Sequence, residues 1–315
     1  MRDCQKTNRR NTYQKSISMR SIISILALSM ISVICSAQDF EHEFKKHLRA
    51  EDTAKQLEVL NKWEAQEPEN AELFTSYFNY YFQKSRQEVV SLTQEQPEGK
   101  GFSIEDSTGA TKGFIGSRVI YNKQIFEQGI NKINRGISLY PNRLDMRFGK
   151  IFVFGQIEEW QRFTNEILKT IRYSAENNNQ WTWTHHKPKE NGKTFFLSSL
   201  QDYQLILYNT GDDKLLSNMQ QIAEEVLKFY PEHVESLSNL SVIYLLNEEY
   251  DKAIQKLITA EQIAPEDPVI LSNLAHVYKQ NGNNEKALEY YQKIVKFGDE
   301  KTMEFAKEQI KRLQP

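Results

Sequence analysis

The residues best suited to chemistry in this chain are its histidines, its carboxylate pairs, one glycine-rich stretch and a pair of tryptophans. His42-Glu43 and His47 suggest a zinc-peptidase helix, but that chemistry needs histidines four apart on one face. Five apart, they stand about 140° round a helix. They read as an exposed polar face. His185-His186 is the other histidine pair, and adjacent imidazoles would need Glu190 or a distant carboxylate to hold a metal. Glycines at 99, 101, 109, 113 and 116 never reach the spacing of a phosphate loop, and Lys112-Gly113 runs in the wrong order. No Gly-x-Ser-x-Gly elbow occurs. Glu158-Glu159, Glu224-Glu225 and Glu248-Glu249 fit solvated helix faces or helix starts. The expectation is therefore no catalytic residue, no metal and no cofactor.

Trp181-Thr-Trp183-Thr alternates, so an extended segment would carry both indoles on one side. Such a platform could bind sugar or peptide, with His185 beside it. The plainer reading is that the indoles plug an inserted loop onto the body of the protein, because exposed tryptophan is costly.

Two cysteines, Cys4 and Cys35, both fall within residues 1–37. That segment has a basic start (Arg2, Lys6, Arg9, Arg10, Lys15, Arg20), an apolar run from Ile22 to Ile34, and small residues before Gln38. It reads as a secretory signal peptide, with residues 1–18 an alternative overlong start before Met19. Lipidation at Cys35 is the disfavoured rival, since Ile34 and Ser32 replace the residues such a signal prefers. The expected product is periplasmic or extracellular, thiol-free, and without a membrane span once the signal is removed.

Taking away the leader's six basic and one acidic residue leaves 34 basic against 41 acidic, a net of −7. An acidic chain has no electrostatic reason to bind nucleic acid. Its 315 residues are 39% hydrophobic and 26% charged with 13 Gly, which excludes collagen-like and disordered classes. A mean hydropathy of −0.64 excludes a polytopic membrane protein.

The elements that must position any site follow from an internal repeat. Leu237-Ser-Asn-Leu240 recurs as Leu271-Ser-Asn-Leu274 after 34 residues, and the same shift takes Tyr244 to Tyr278 and Ala253 to Ala287. Each unit reads as two amphipathic helices. Pro68, Pro141, Pro231 and Pro265 each follow one helical stretch and precede another. Their spacings of 73, 90 and 34 leave surpluses of 39 and 22 residues over whole units. The first surplus fits an insertion at 86–118, where Phe102–Asp106 and Lys112–Gly116 flank Thr108-Gly109 as a short β-hairpin. The second fits a long loop at 176–196. Helices are expected near 40–49, 52–66, 69–85, 119–139, 143–155, 158–176, 197–209, 213–229, 233–247, 250–263, 267–280, 284–297 and 300–313.

At these residues the chain resembles the tetratricopeptide repeat family. Leu237, Leu240, Ser241, Tyr244, Tyr250, Ala253, Leu257, Ala260 and Pro265 match its signature in one unit. In the next, Leu271, Leu274, Ala275, Tyr278, Ala287 and Tyr291 match, with Ile294 replacing Ala and Asp299 replacing Pro. The resemblance implies an all-α fold, a right-handed α-α superhelix with the hairpin and loop inserted. Its parts would be an N-terminal segment 38–85, the insertion 86–118, degenerate repeats 119–231, two clear units 232–299 and a capping helix 300–315. It also implies a non-enzymatic scaffold that binds a peptide or partner protein in a concave groove. That groove would be lined by Glu235, Ser238, Asn239, Val242, Leu246, Val269, Ser272, Asn273, His276 and Lys279. Asn239 and Asn273 also have a packing explanation. The family subtype that grips a C-terminal carboxylate is not matched, because Ser238, Val242, Ser272 and Asn273 offer no basic group. A ligand-binding protein or enzyme for glycan or peptide, with its site at Trp181, Trp183 and His185, is the alternative.

Overall fold

The computed structural model describes residues 39–96 and 101–314. The expected signal peptide, its alternative start and Cys35 lie outside these residues. The chain divides into two units, one ending at Tyr80 and the other beginning at Tyr81.

The first unit holds α1 (39–49), α2 (Thr53–Gln66) and the start of α3 (Ala71–Ser85). Asp52 caps α2 by accepting from the Lys55 amide at 3.1 Å. Val59, Leu60 and Trp63 on α2 are buried with Leu73, Phe74 and Tyr77 on α3, and Phe40 stacks on Trp63 at 6.1 Å.

The second unit continues with β1 (Arg86–Thr93), β2 (Gly101–Glu105) and β3 (Thr111–Tyr121). Helices then follow: α4 (Lys123–Leu139), α5 (Leu144–Gln156), α6 (Trp160–Glu176) and, after an insertion, α7 (Gly192–Asn209). Then come α8 (Leu216–Phe229), α9 (Val234–Leu246), α10 (Tyr250–Ile263), α11 (Pro268–Gln280), α12 (Asn284–Phe297) and α13 (Glu300–Leu313). The helices pack as successive hairpins, α5 on α6, α7 on α8, α9 on α10 and α11 on α12, with α13 closing on α12. None of the described helices is long and apolar enough to cross a membrane.

Two backbone turns recur along this stack. The residue before each repeat proline takes one conformation: Glu67 (φ −137°, ψ 67°), Tyr140 (−127°, 63°), Tyr230 (−131°, 69°) and Ala264 (−131°, 74°). Proline disfavours helical backbone in the residue before it, so each helix stops there. The turn inside a hairpin is also repeated, with its third residue left-handed: Glu158 (φ 57°), Glu248 (φ 59°) and Gly282 (φ 77°). The amide after it reaches back to Phe154, Tyr244 and Tyr278 respectively at 2.8–2.9 Å. These turns lie 90 and 34 residues apart, so the backbone keeps the repeat where the side-chain signature has faded.

The insertions are more ordered than the sequence suggests. Between α3 and α4 stands a three-stranded antiparallel sheet, order β1-β3-β2, rather than a hairpin alone. The expected hairpin is β2–β3, turned by Asp106, whose carboxylate accepts from the Thr108 and Ala110 amides at 2.8 and 3.1 Å. β1 adds to the other edge of β3 from Arg86↔Tyr121 to Thr93↔Phe114. Consequently β3 runs to Tyr121, and α4 begins at Lys123 instead of 119. Within 176–196 the chain forms β4 (Thr182–Trp183) and β5 (Lys187–Pro188), and α7 starts at Gly192, five residues earlier than expected. Gly192 is required there, since a Cβ would stand 2.5 Å from the Asn179 carbonyl oxygen.

Candidate functional site

The first helices of successive hairpins, α7, α9, α11 and the terminal α13, form a row joined by side-chain hydrogen bonds. Gln201 on α7 exchanges amide bonds with Asn239 on α9, the shorter at 2.7 Å. Asn273 on α11 donates to the Ser238 hydroxyl at 2.9 Å, and Lys279 donates to Gln309 on α13 at 2.9 Å. Gln309 is buried and the other polar groups are half-buried at helix contacts, where leaving one unpaired would cost about 1–3 kcal/mol. Asn239, Asn273, Ser238 and Lys279 are therefore engaged in holding one repeat to the next.

The remaining groove positions expected from the sequence differ in character. Leu246 and Val269 are 51% and 61% exposed, Val242 and Ser272 are half-buried, and His276 is exposed. Glu235 is exposed, its carboxylate 3.2 Å from the His233 ring. Partial burial, then the charge of Lys279, holds the His276 imidazole below its usual pKa. A hollow of about 460 Å³ opens beside Leu246, where the start of α8 meets the end of α9.

Counting back from Val242 by 90 residues gives Phe152 on α5, and by the 37 that separate the left-handed Glu248 and Gly211 gives Leu205 on α7, with Tyr208 about one turn further along. All three are large, apolar and exposed, at 49%, 54% and 51%. With Leu246 at the end of α9 and Val269 at the start of α11, they are exposed apolar residues on the first helices of four hairpins. Sequence reasoning missed the α5 and α7 members because the signature fades there. The register of the prolines and of Gly211 was the signal that could have found them.

The tryptophan loop is built differently. Trp181 is 2% exposed and packs between Tyr173 on α6 and Phe196 on α7, at 5.8 and 5.5 Å. Trp183 lies edge-on to Phe148 on α5 and Phe195 on α7, at 6.4 and 5.6 Å. The two indoles thus fill the gap between consecutive hairpins and present no open platform. His185 is exposed with left-handed backbone (φ 58°). A cavity of about 230 Å³ lies beside the loop, lined by Tyr140, Pro141, Asn142, Arg143, Thr182 and His186 among others. It is smaller than typical small-molecule sites, and no carboxylate lines it. Among the described residues no group of three metal-ligating side chains converges.

Beneath the loop, α5 turns three basic residues inward. Arg143 makes a double contact with Asp145 at 2.8 and 2.7 Å, Arg147 lies 4.4 Å over the Tyr173 ring, and Lys150 bonds Glu166 on α6 at 2.6 Å. Burial lowers the pKa of Arg147 and Lys150, and Glu166 opposes that shift in both. These charges are paired inside the stack and are not aimed into a cleft.

Residues 249–299 match the family model of YpiA-like tetratricopeptide repeats. The chain carries tetratricopeptide repeats. Among solved structures of similar shape is PilW, a widely conserved type IV pilus biogenesis factor, 9% identical, covering 86% of this chain and 97% of its own, TM-score 0.38. Another is YrrB, a TPR protein with an unusual peptide-binding site, 14% identical, covering 79% and 97%, TM-score 0.39. A third is a tetratricopeptide repeat protein from Parabacteroides merdae, 11% identical, covering 88% and 86%, TM-score 0.37. No curated protein sequence matches this chain.

Proposed function

We propose that this tetratricopeptide-repeat chain is an exported, non-enzymatic scaffold whose row of first helices binds an apolar segment of a partner protein. The leader at 1–37 supports export, and the net charge of −7 beyond it speaks against nucleic acid. The observation that carries the binding reading is the set of Phe152, Leu205, Tyr208, Leu246 and Val269, large apolar residues exposed on the first helices of consecutive hairpins. The hydrogen-bonded asparagines lie beside it and fix its spacing. Neighbouring packed helices lie about 8–10 Å apart. A peptide in the polyproline II conformation advances about 3.1 Å per residue with three residues per turn, so every third side chain would face successive repeats.

The test is crosslinked capture from native extract by the wild-type chain, by Leu205→Glu/Leu246→Glu and by Trp183→Ala. Both leucines are half exposed, so the charged pair should leave helical content unchanged by circular dichroism. A partner held by wild type and by Trp183→Ala, but lost from the charged pair, is the expected result. Retention by the charged pair overturns the groove assignment. Capture that depends on Trp183, or a failure to capture any protein while glycans or peptides bind near His185, would transfer function to the tryptophan loop.

A further inference from the structure

The sheet inserted between α3 and α4 has an apolar face left open. Its register pairs Leu92 with Ile115 and Ile115 with Phe102, so these three form a row across all three strands. Alternation of side chains along a strand then places Val90, Ile104 and Val119 on that same face. Val90, Leu92 and Phe102 are 77%, 73% and 78% exposed, and Ile104, Ile115 and Val119 are 36–39% exposed. On the opposite face Val89 and Phe114 are half-buried and Gly116 is buried. The open face thus shows on the order of 600 Å² of apolar residue surface, at the top of the range for the largest patch on a monomer.

An apolar sheet face is stable when a second layer covers it. We propose that the covering layer is the same face of a second copy of this chain, two three-stranded sheets packed about a two-fold axis. The row Leu92–Ile115–Phe102 would lie at the centre of the contact. Two such patches together bury on the order of 1,200 Å², where specific stable interfaces begin. Twisted sheets of this kind pack about 10 Å apart with their strands nearly aligned, and the protruding Leu92 and Phe102 have the reach to interdigitate. The rim also suits a like partner. Arg86 and Glu88 stand at one end of this face, and the Lys112–Asp106 pair (3.1 Å) lies at the hairpin turn at the other end. Charges of both signs, with no basic excess, do not repel a copy and give an anionic lipid surface nothing to hold.

Sedimentation equilibrium of the purified chain over a dilution series tests this. Wild type should show a reversible dimer. Leu92→Lys/Phe102→Lys should weaken it about thirtyfold or more, the loss expected when a central contact worth about 2 kcal/mol is removed. Both side chains are mostly exposed, so helical content should not change. Arg118→Ala, on the opposite face and across from Val89, should leave the dimer intact. A wild-type chain that stays monomeric overturns the proposal, as does a dimer indifferent to the lysine pair or equally weakened by Arg118→Ala. Monomeric wild type that floats with phosphatidylcholine vesicles would reassign the face to lipid.

Discussion

The C-terminal hairpins α9–α12 and the central hairpins α5–α8 share a backbone but solve helix contact in opposite ways. Where the helices of one hairpin cross, α9–α12 place Ser241, Ala253, Ala275 and Ala287, all buried at 1% or less. At the equivalent positions α5, α6 and α8 carry Ile151, Phe163 and Met219, also buried. Small residues allow close approach, whereas large ones fill a wider crossing. Phe163 is accommodated partly by Gly155, where even a methyl group would touch its ring at 3.3 Å. The central hairpins also bury charge, with Lys150 and Glu166 side chains only 9% and 5% exposed. The signature therefore faded because the packing chemistry changed, while the turn between α5 and α6 stayed the same as in α9–α12. The tryptophan loop completes the difference, since its indoles occupy the space between two central hairpins.

The strongest way to break this comparison is through the buried ion pair. Lys150→Met should destabilise the central hairpins by about 3–5 kcal/mol, because Glu166 is left buried without its partner. Adding Glu166→Leu should recover most of that loss, since two apolar side chains can replace a buried pair at little cost. A double-mutant cycle in urea measures the coupling, and a single variant as stable as wild type would show that the pair is solvated. Next in size, Ala275→Leu should cost about 1–3 kcal/mol by overpacking α11 against α12. In α7, Leu207→Ala should cost about 2–5 kcal/mol by opening a cavity at a buried site. Thermal melts of the two variants would contradict the comparison if either substitution were neutral. The smallest effect sharpens what the two regions share. Glu158→Gly and Glu248→Gly should each stabilise by up to about 1 kcal/mol, because both replace a left-handed glutamate at a turn that Gly282 fills in the next repeat. Unequal responses would mean that the two turns are not equivalent.

Much of the helical order was legible because it rests on local signals. Proline ends a helix wherever it stands, and a 34-residue recurrence survives changes of side chain. β1 was hidden for the opposite reason: Arg86–Thr93 follows Ser85 without glycine or proline to mark the change, and its partner lies beyond β2. The early start of α7 depends on the close approach of Gly192 to Asn179, which spacing along the chain does not reveal. The groove was half legible. Residues in α9 and α11 could be named from the signature, while Phe152, Leu205 and Tyr208 required the register carried by the prolines and Gly211. The Lys150–Glu166 pair joins residues 16 apart across a hairpin, among many carboxylates and lysines that lie on the surface.

The sheet has a further consequence in time. Contacts among α9–α12 join helices that follow one another closely along the chain, so they need little loop closure to form. The β1–β3 ladder is anchored instead at Arg86↔Tyr121, with β2 and both connections between them. Loop entropy must be lost before that pairing returns any stability, which delays non-local strands relative to local helices. Folding therefore spreads from the C-terminal repeats, and hydrogen exchange should find the sheet protected last on refolding and released early on unfolding.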